Sequence, residues 1–167
     1  SGNLLIGCTS QPSASVHGAQ ISNNGFILTS KNGTGLSFHH QFFNDNGAVG
    51  QISTSGSSTT YSTSSDYRLK ENAVAISDGI TRLKTLKPYR FNFKADASTT
   101  VDGFFAHEVT AVPEAISGTK DEVDSDNNPV YQGIDQSKLV PLLTAALQEA
   151  VARIETLEAE VAALKSS

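Results

Sequence analysis

Cysteine is almost missing from this sequence: Cys8 is the only one among 167 residues, so an intrachain disulfide cannot form and a zinc-finger type of site lacks its ligands. Charge is nearly absent from the first part, where Lys31 and Asp45 are the only formal charges before Asp66. No apolar run reaches the about 18 residues that a membrane helix needs. The Ser1-Gly2-Asn3 opening lacks the charged and apolar regions of a secretory signal. The expectation is a soluble chain with no membrane insertion, not routed to secretion. There is no basic stripe, and acidic residues outnumber basic ones, 17 to 12, which argues against nucleic acid as a partner. No cofactor and no metal are expected.

What is present falls into two parts of opposite character. Up to Ser65 the chain is rich in Gly, Ser, Thr and Asn and poor in aliphatics, too poor to supply a large private core; an intertwined oligomer is the natural remedy. Short apolar stretches alternate with turn signals: Leu4 to Cys8, Ala19 to Ser22, the turn Asn23-Asn24-Gly25, Phe26 to Thr29, Leu36 to Phe43, the turn Asn44-Asp45-Asn46-Gly47, then Ala48 to Ile52. Ser53 to Ser64 resembles a flexible linker in composition, but the β propensity of Thr59-Thr60-Tyr61 reads as a last strand. The abrupt opening inside a strand pattern reads as the C-terminal piece of something longer. His39 and His40 are neighbours in a strand, so their side chains face opposite ways and cannot share one ion within a chain.

After Ser65 charged residues crowd in. Leu69, Ala73, Ile76, Ile80, Leu83 and Leu86 fall at helical spacing over Tyr67 to Leu86, with a break expected at Ser77-Asp78-Gly79. Lys87-Pro88 stops the helix, and Tyr89 to Phe93 alternates as a half-buried strand. Asp96 to Asp102 reads as a polar turn leading to a second short strand at Gly103 to Ala106, and His107 to Pro113 as a short helix. Gly118 to Asn128 is an acidic loop without calcium-loop spacing. Pro129 to Ile134 reads as a strand, and Asp135-Gln136-Ser137 starts a helix. From there Val140, Leu147, Ile154 and Val161 occupy one heptad position and Leu143, Ala150, Leu157 and Leu164 the other, a coiled-coil seam. Glu149, Arg153, Glu155, Glu158 and Glu160 take outer positions. The seam either joins chains or packs on the same chain's module; β-branched residues at one position with Leu at the other favour a dimer by rule.

The junction Ser64-Ser65-Asp66-Tyr67-Arg68-Leu69-Lys70-Glu71-Asn72 carries the chemistry. A serine hydroxyl is a poor nucleophile without a base, and a lysine serves as one only when neutral. A helical turn starting at Asp66 would bring Lys70 back toward Ser65, in its own chain or an adjacent one. Arg68 either polarises a carbonyl or pairs with an acid such as Glu71.

The string Ser-Asp-Tyr-Arg-Leu-Lys-Glu-Asn, followed in order by Lys87-Pro88-Tyr89-Arg90-Phe91, Gly103-Phe104-Phe105-Ala106-His107-Glu108-Val109, Val112-Pro113-Glu114-Ala115-Ile116 and Leu139-Val140-Pro141-Leu142-Leu143, resembles the self-cleaving intramolecular chaperone of bacteriophage tailspikes and tail fibres, the S74 peptidase family. The resemblance runs from Ser65 to Leu164. His107 stands where that family more often has Gln. The resemblance implies Ser65 as nucleophile, Lys70 as base, the Ser65-Asp66 bond as the one cut, and a homotrimer joined to upstream fibre or spike domains of the same polypeptide. It implies assembly in the host cytoplasm, residence in the virion tail after release of the chaperone fragment, and contact with a host surface receptor. The expected fold class is α+β: a β-rich trimeric fibre tip over 1–65, then a chaperone over 66–167, its α+β module at about 66–134 and its long coiled-coil helix at about 136–165. One rival is a fibre tip that binds a receptor without being cut. A glycan hydrolase is disfavoured, because Asp45 has no companion acid before the junction.

Overall fold

The structure, a computed structural model, describes residues 2–166. It is of mixed α+β class, with small antiparallel sheets followed by a long C-terminal helix, and divides into two compact units, Ser1–Ala73 and Val74–Ser167.

The first unit is two three-stranded antiparallel sheets. β1 (Leu4–Ile6), β2 (Gly18–Ile21) and β3 (Ile27–Ser30) pair in that order, as do β4 (Ser37–Asn44), β5 (Gly47–Ser55) and β6 (Ser58–Thr63). The turn chemistry sets the hairpins. Gly25 and Gly47 hold φ at 90° and 92°, a region open mainly to glycine, and each sits where the chain reverses after an Asn-rich segment. The linker-like Ser/Thr stretch is a β-ladder, with Ser53 opposite Thr60 and Thr54 opposite Thr59. Among the described residues no Leu, Ile, Val, Phe or Tyr side chain of this unit is buried; Gln20 and Ser53 are the side chains that reach 2% exposure. Leu4, Ile6, Ile27, Leu36, Phe42 and Phe43 are each more than half exposed.

The second unit has the apolar core. Val109, Val112, Ala115, Leu139 and Leu142 are buried together, with Leu86, Phe104 and Ile134 against them. Around them lie α1 (Gly79–Leu83), the hairpin of β7 (Tyr89–Phe93) and β8 (Asp96–Gly103), the short pair β9 (Ile116–Ser117) and β10 (Gly133–Ile134), and α2 (Val140–Ser166). Asp135 opens the approach to α2 by accepting the Ser137 amide at 3.0 Å, and Pro141 is tolerated in the first turn of the helix, where its missing N–H has no intrahelical partner to lose.

Three expectations are corrected. The helix expected over Tyr67 to Leu86 is reduced to one 3-10 turn at Tyr67–Leu69 and to α1; residues 70–78 hold no helix. Asn72 takes a left-handed φ of 52°, and Leu69 and Val74 are 71% and 87% exposed. Helical spacing stabilises a helix only where the apolar stripe covers a surface. Asp96 to Asp102 is strand rather than turn: Ser98-Thr99-Thr100-Val101 follow β propensity, the reversal is made at Lys94-Ala95, and the strand ends at Gly103. The third concerns α2. Glu149 does not merely solubilise an outer position: its Oε2 accepts the Ile80 amide at 3.0 Å, satisfying one of the orphan donors at the start of α1.

The helix has two apolar faces. Leu142 and Ala146 face the unit's own core, whereas the heptad residues Val140, Leu143, Leu147, Ile154, Leu157 and Val161 are between 46% and 67% exposed. Gly79 permits the α1–α2 contact, because a Cβ there would lie 2.5 Å from the Ala146 backbone nitrogen. Gly79→Ala is therefore expected to destabilise the second unit by about 1–3 kcal/mol through overpacking, and Leu142→Ala by about 2–5 kcal/mol through the cavity left behind. Chemical denaturation followed by circular dichroism checks both; an unchanged midpoint for Gly79→Ala would contradict the tight crossing.

Candidate active site

The junction lies in the first unit, and its shape follows from how β6 ends. Ser64 still belongs to the sheet: its amide donates to Val49 O at 3.1 Å and its hydroxyl to Ala48 O at 2.9 Å. At Asp66 the chain is extended, with φ −63° and ψ 137°, the geometry of an N-cap. A single 3-10 turn follows, closed by Leu69 N donating to Asp66 O and Lys70 N to Tyr67 O, both at 3.1 Å.

That reversal carries the Lys70 side chain back over the start of the turn. Its Nζ donates to Ser65 Oγ at 2.7 Å, within one chain. The two residues expected to pair thus lie within hydrogen-bond distance of one another. Ser65 and Lys70 are both exposed. The donor direction matters: Nζ donates a hydrogen bond to the hydroxyl oxygen in this arrangement, whereas a base would accept one from the hydroxyl.

Arg68 is engaged with an acid, and that acid is Asp66 rather than Glu71. Arg68 Nε donates to Asp66 Oδ1 at 2.9 Å and a terminal guanidinium nitrogen to Oδ2 at 2.8 Å, a fork matched to the carboxylate. Asp66 Oδ1 also accepts the Arg68 amide at 2.9 Å. The Arg68 side chain first, then its amide, and more weakly the Lys70 charge hold the Asp66 carboxyl below its ordinary value. The capping role of Asp66 was missed in the sequence, although an Asp directly before a turn is the standard signal for it.

The other candidates are placed elsewhere or otherwise occupied. His39 uses both ring nitrogens on hydroxyls, Nδ1 with Thr29 Oγ1 at 2.7 Å and Nε2 with Thr54 Oγ1 at 3.0 Å. His17 Nδ1 lies 3.4 Å from Ser30 Oγ. His107 stacks on Phe105, with ring centroids 6.1 Å apart. Glu108 receives Lys87 Nζ at 3.0 Å, and the neighbouring Tyr89 phenol and Lys87 ammonium hold its carboxyl below the usual range. In the acidic loop Asp124 is used internally, taking the amides of Asp126 and Asn128 at 2.9 Å. Among the described residues no group of three His, Cys, Asp or Glu side chains could hold a metal ion, and no helix is long and apolar enough to cross a membrane.

The described residues thus form a β-rich unit that ends in an exposed serine–lysine contact and an α+β unit that ends in a long helix. Residues 65–117 match the Peptidase S74 family model, described as chaperone of endosialidase; over that span the chain carries this family's domain. An intramolecular chaperone role is what that domain implies. No curated protein and no solved structure matches the chain.

The Asp66 cap gives a titration with a definite sign. Because the folded pKa is depressed, the ionised carboxylate stabilises the turn above the unfolded value of about 3.9, and that contribution is lost as pH falls through the lower folded value. In an uncut Ser65→Ala chain, the Asp66 carboxyl resonance is expected to titrate below the free-aspartate midpoint, and Arg68→Ala to raise it. An ordinary midpoint with Arg68 intact would contradict the fork.

Proposed function

We propose that residues 66–167 form the C-terminal intramolecular chaperone of a phage tail fibre or tailspike, which gathers three chains, assists the folding of the β-rich segment before it, and is released by self-cleavage between Ser65 and Asp66. The observation that carries this reading is the 2.7 Å contact from Lys70 Nζ to Ser65 Oγ, at the first residue of the span matched to the S74 chaperone family.

In the cutting step neutral Lys70 Nζ takes the Ser65 hydroxyl proton as Oγ bonds to the carbonyl carbon of the Ser65–Asp66 peptide. The C–N bond then breaks, and the proton on Nζ passes to the departing Asp66 amine. Water hydrolyses the ester, restoring the Ser65 hydroxyl and leaving a Ser65 carboxylate and an Asp66 ammonium. Attack by Ser65 on its own carbonyl would close a strained β-lactone, which favours the carbonyl of another subunit as the target. The reaction turns over once, because the nucleophile leaves with the fibre and the base with the chaperone.

Two structural facts support assembly as the trigger. Among the described residues the first unit buries none of its large apolar side chains, and α2 presents Val140, Leu143, Leu147, Ile154, Leu157 and Val161 beyond its own core. Apolar area of that kind is what an obligate interface covers. Early helical association holds the chains together, raises the effective concentration of strands that pair slowly, and limits exposure to aggregation. Removing the chaperone then makes the assembled fibre kinetically stable, since the assembly route is gone. The assembled product would sit in the virion tail, where its distal surface meets a host receptor.

Expression of the chain with Ser65→Ala and Lys70→Ala variants, followed by denaturing mass measurement, tests this. Two fragments from the parent, the second starting at Asp66, and one intact mass from each variant are expected. Cutting of Ser65→Ala at the parent's rate would remove Ser65 from the role. Sedimentation should give a trimer in all three; a stable monomer would overturn the assembly mechanism.

A further inference from the structure

The turn that brings Lys70 to Ser65 has little to hold it. It is three residues long and closed by two backbone bonds, a geometry that is weak in isolation. None of its residues is buried, and Tyr67 and Leu69 are 81% and 71% exposed. A lysine side chain samples many rotamers, so one contact at 2.7 Å is costly in conformational entropy unless its base is fixed. Three hydrogen bonds converge on the one carboxylate at the start of this turn: Arg68 N and Nε on Oδ1, and the Arg68 terminal nitrogen on Oδ2. Lys70 is two residues further on, and its amide closes the same turn.

We propose that Asp66 and Arg68 form a positioning clamp: the bidentate carboxylate–guanidinium pair fixes the 3-10 turn in the one conformation that sets Lys70 Nζ on Ser65 Oγ. This rests on the self-cleavage reading. Neither side chain touches the reacting atoms through the bonds described, although the Asp66 backbone nitrogen is the leaving amine. Arg68 spends its fork on Asp66, so it supplies geometry rather than polarising the scissile carbonyl. The requirement is for a planar fork and not for a positive charge, because a lysine ammonium is a point charge that cannot make the parallel pair. Asp66 also follows the scissile bond, so the clamp stays whole on the released fragment while its nucleophile departs.

The test uses the full chain as parent, Arg68→Lys, Arg68→Ala and Asp66→Asn. First-order cleavage rates are read by denaturing mass measurement across a pH series, with sedimentation of the same samples. Loss of positioning should slow Arg68→Lys by about 10- to 100-fold and Arg68→Ala at least as much, with assembly unchanged. The pH at which the rate is half its plateau should stay at the parent's value while the plateau falls, since the same amine acts, less often in place. Parent-like rates in Arg68→Lys and Arg68→Ala would overturn the clamp. So would a displaced half-plateau pH, which would mean that Arg68 acts on the protonation of Lys70, or a failure to assemble, which would make the pair structural. A parent that assembles and stays whole would overturn the self-cleavage reading, and the clamp with it.

Discussion

The constraint on which the rest depends is that, among the described residues, the first unit fully buries none of its large apolar side chains. Its two sheets pair their backbones in β-ladders, yet the buried residues there, among those described, are Gln20, Ser22, Ser53 and Pro12, while Phe42, Phe43 and Leu36 are more than half exposed. Burial contributes about 25 cal/mol per Å² of apolar surface, and small sheets that forgo it are marginal. The second unit is the opposite case. Its core is small but continuous, from Val109 through Leu142, and it is reinforced where Gly79 lets α1 lie directly on α2 and Glu149 caps the Ile80 amide. On the proposed reading the self-sufficient unit does for the insufficient one what that unit cannot do alone: it supplies partner chains.

The long helix is suited to such a division of labour because its apolar residues do not form one stripe. Leu142 and Ala146 fasten it to its own core, and the heptad positions lie on an adjacent face. A single helix can therefore be both a structural member of its unit and a surface for association. The junction shows a comparable economy, since the Ser64 hydroxyl and amide end the sheet while Ser65, one residue on, contacts Lys70. That one-residue offset separates a structural serine from a reactive candidate.

Much of this was legible in the sequence, and the parts that were not share a cause. The hairpin turns at Asn23 to Gly25 and Asn44 to Gly47, the β6 strand, Tyr89 to Phe93, the Asp135 start and the heptad pattern were set by local chemistry and could be read locally. The helix over Tyr67 to Leu86 failed because periodicity cannot say whether a surface exists to receive the stripe; Leu69, at its start, is 71% exposed. β8 was hidden by the polarity of Asp96 to Asp102, whose outward residues need no apolar pattern. Glu149 looked like a solvated heptad charge because its partner, the Ile80 amide, is 69 residues away. At the site, the spacing of Ser65 and Lys70 was readable, but the role of Arg68 stayed open between a carbonyl and an acid such as Glu71, since sequence proximity does not reveal which carboxylate a 3-10 turn presents.

The central claim is that assembly, and not folding of the single chain, makes the junction reactive. The most direct measurement is the cleavage rate during refolding from denaturant as chain concentration is varied, with oligomer formation followed in parallel. The account predicts that fragments appear only after the trimer does and that the lag before cutting shortens as concentration rises. Cutting at one concentration-independent rate in chains that remain monomeric would contradict it.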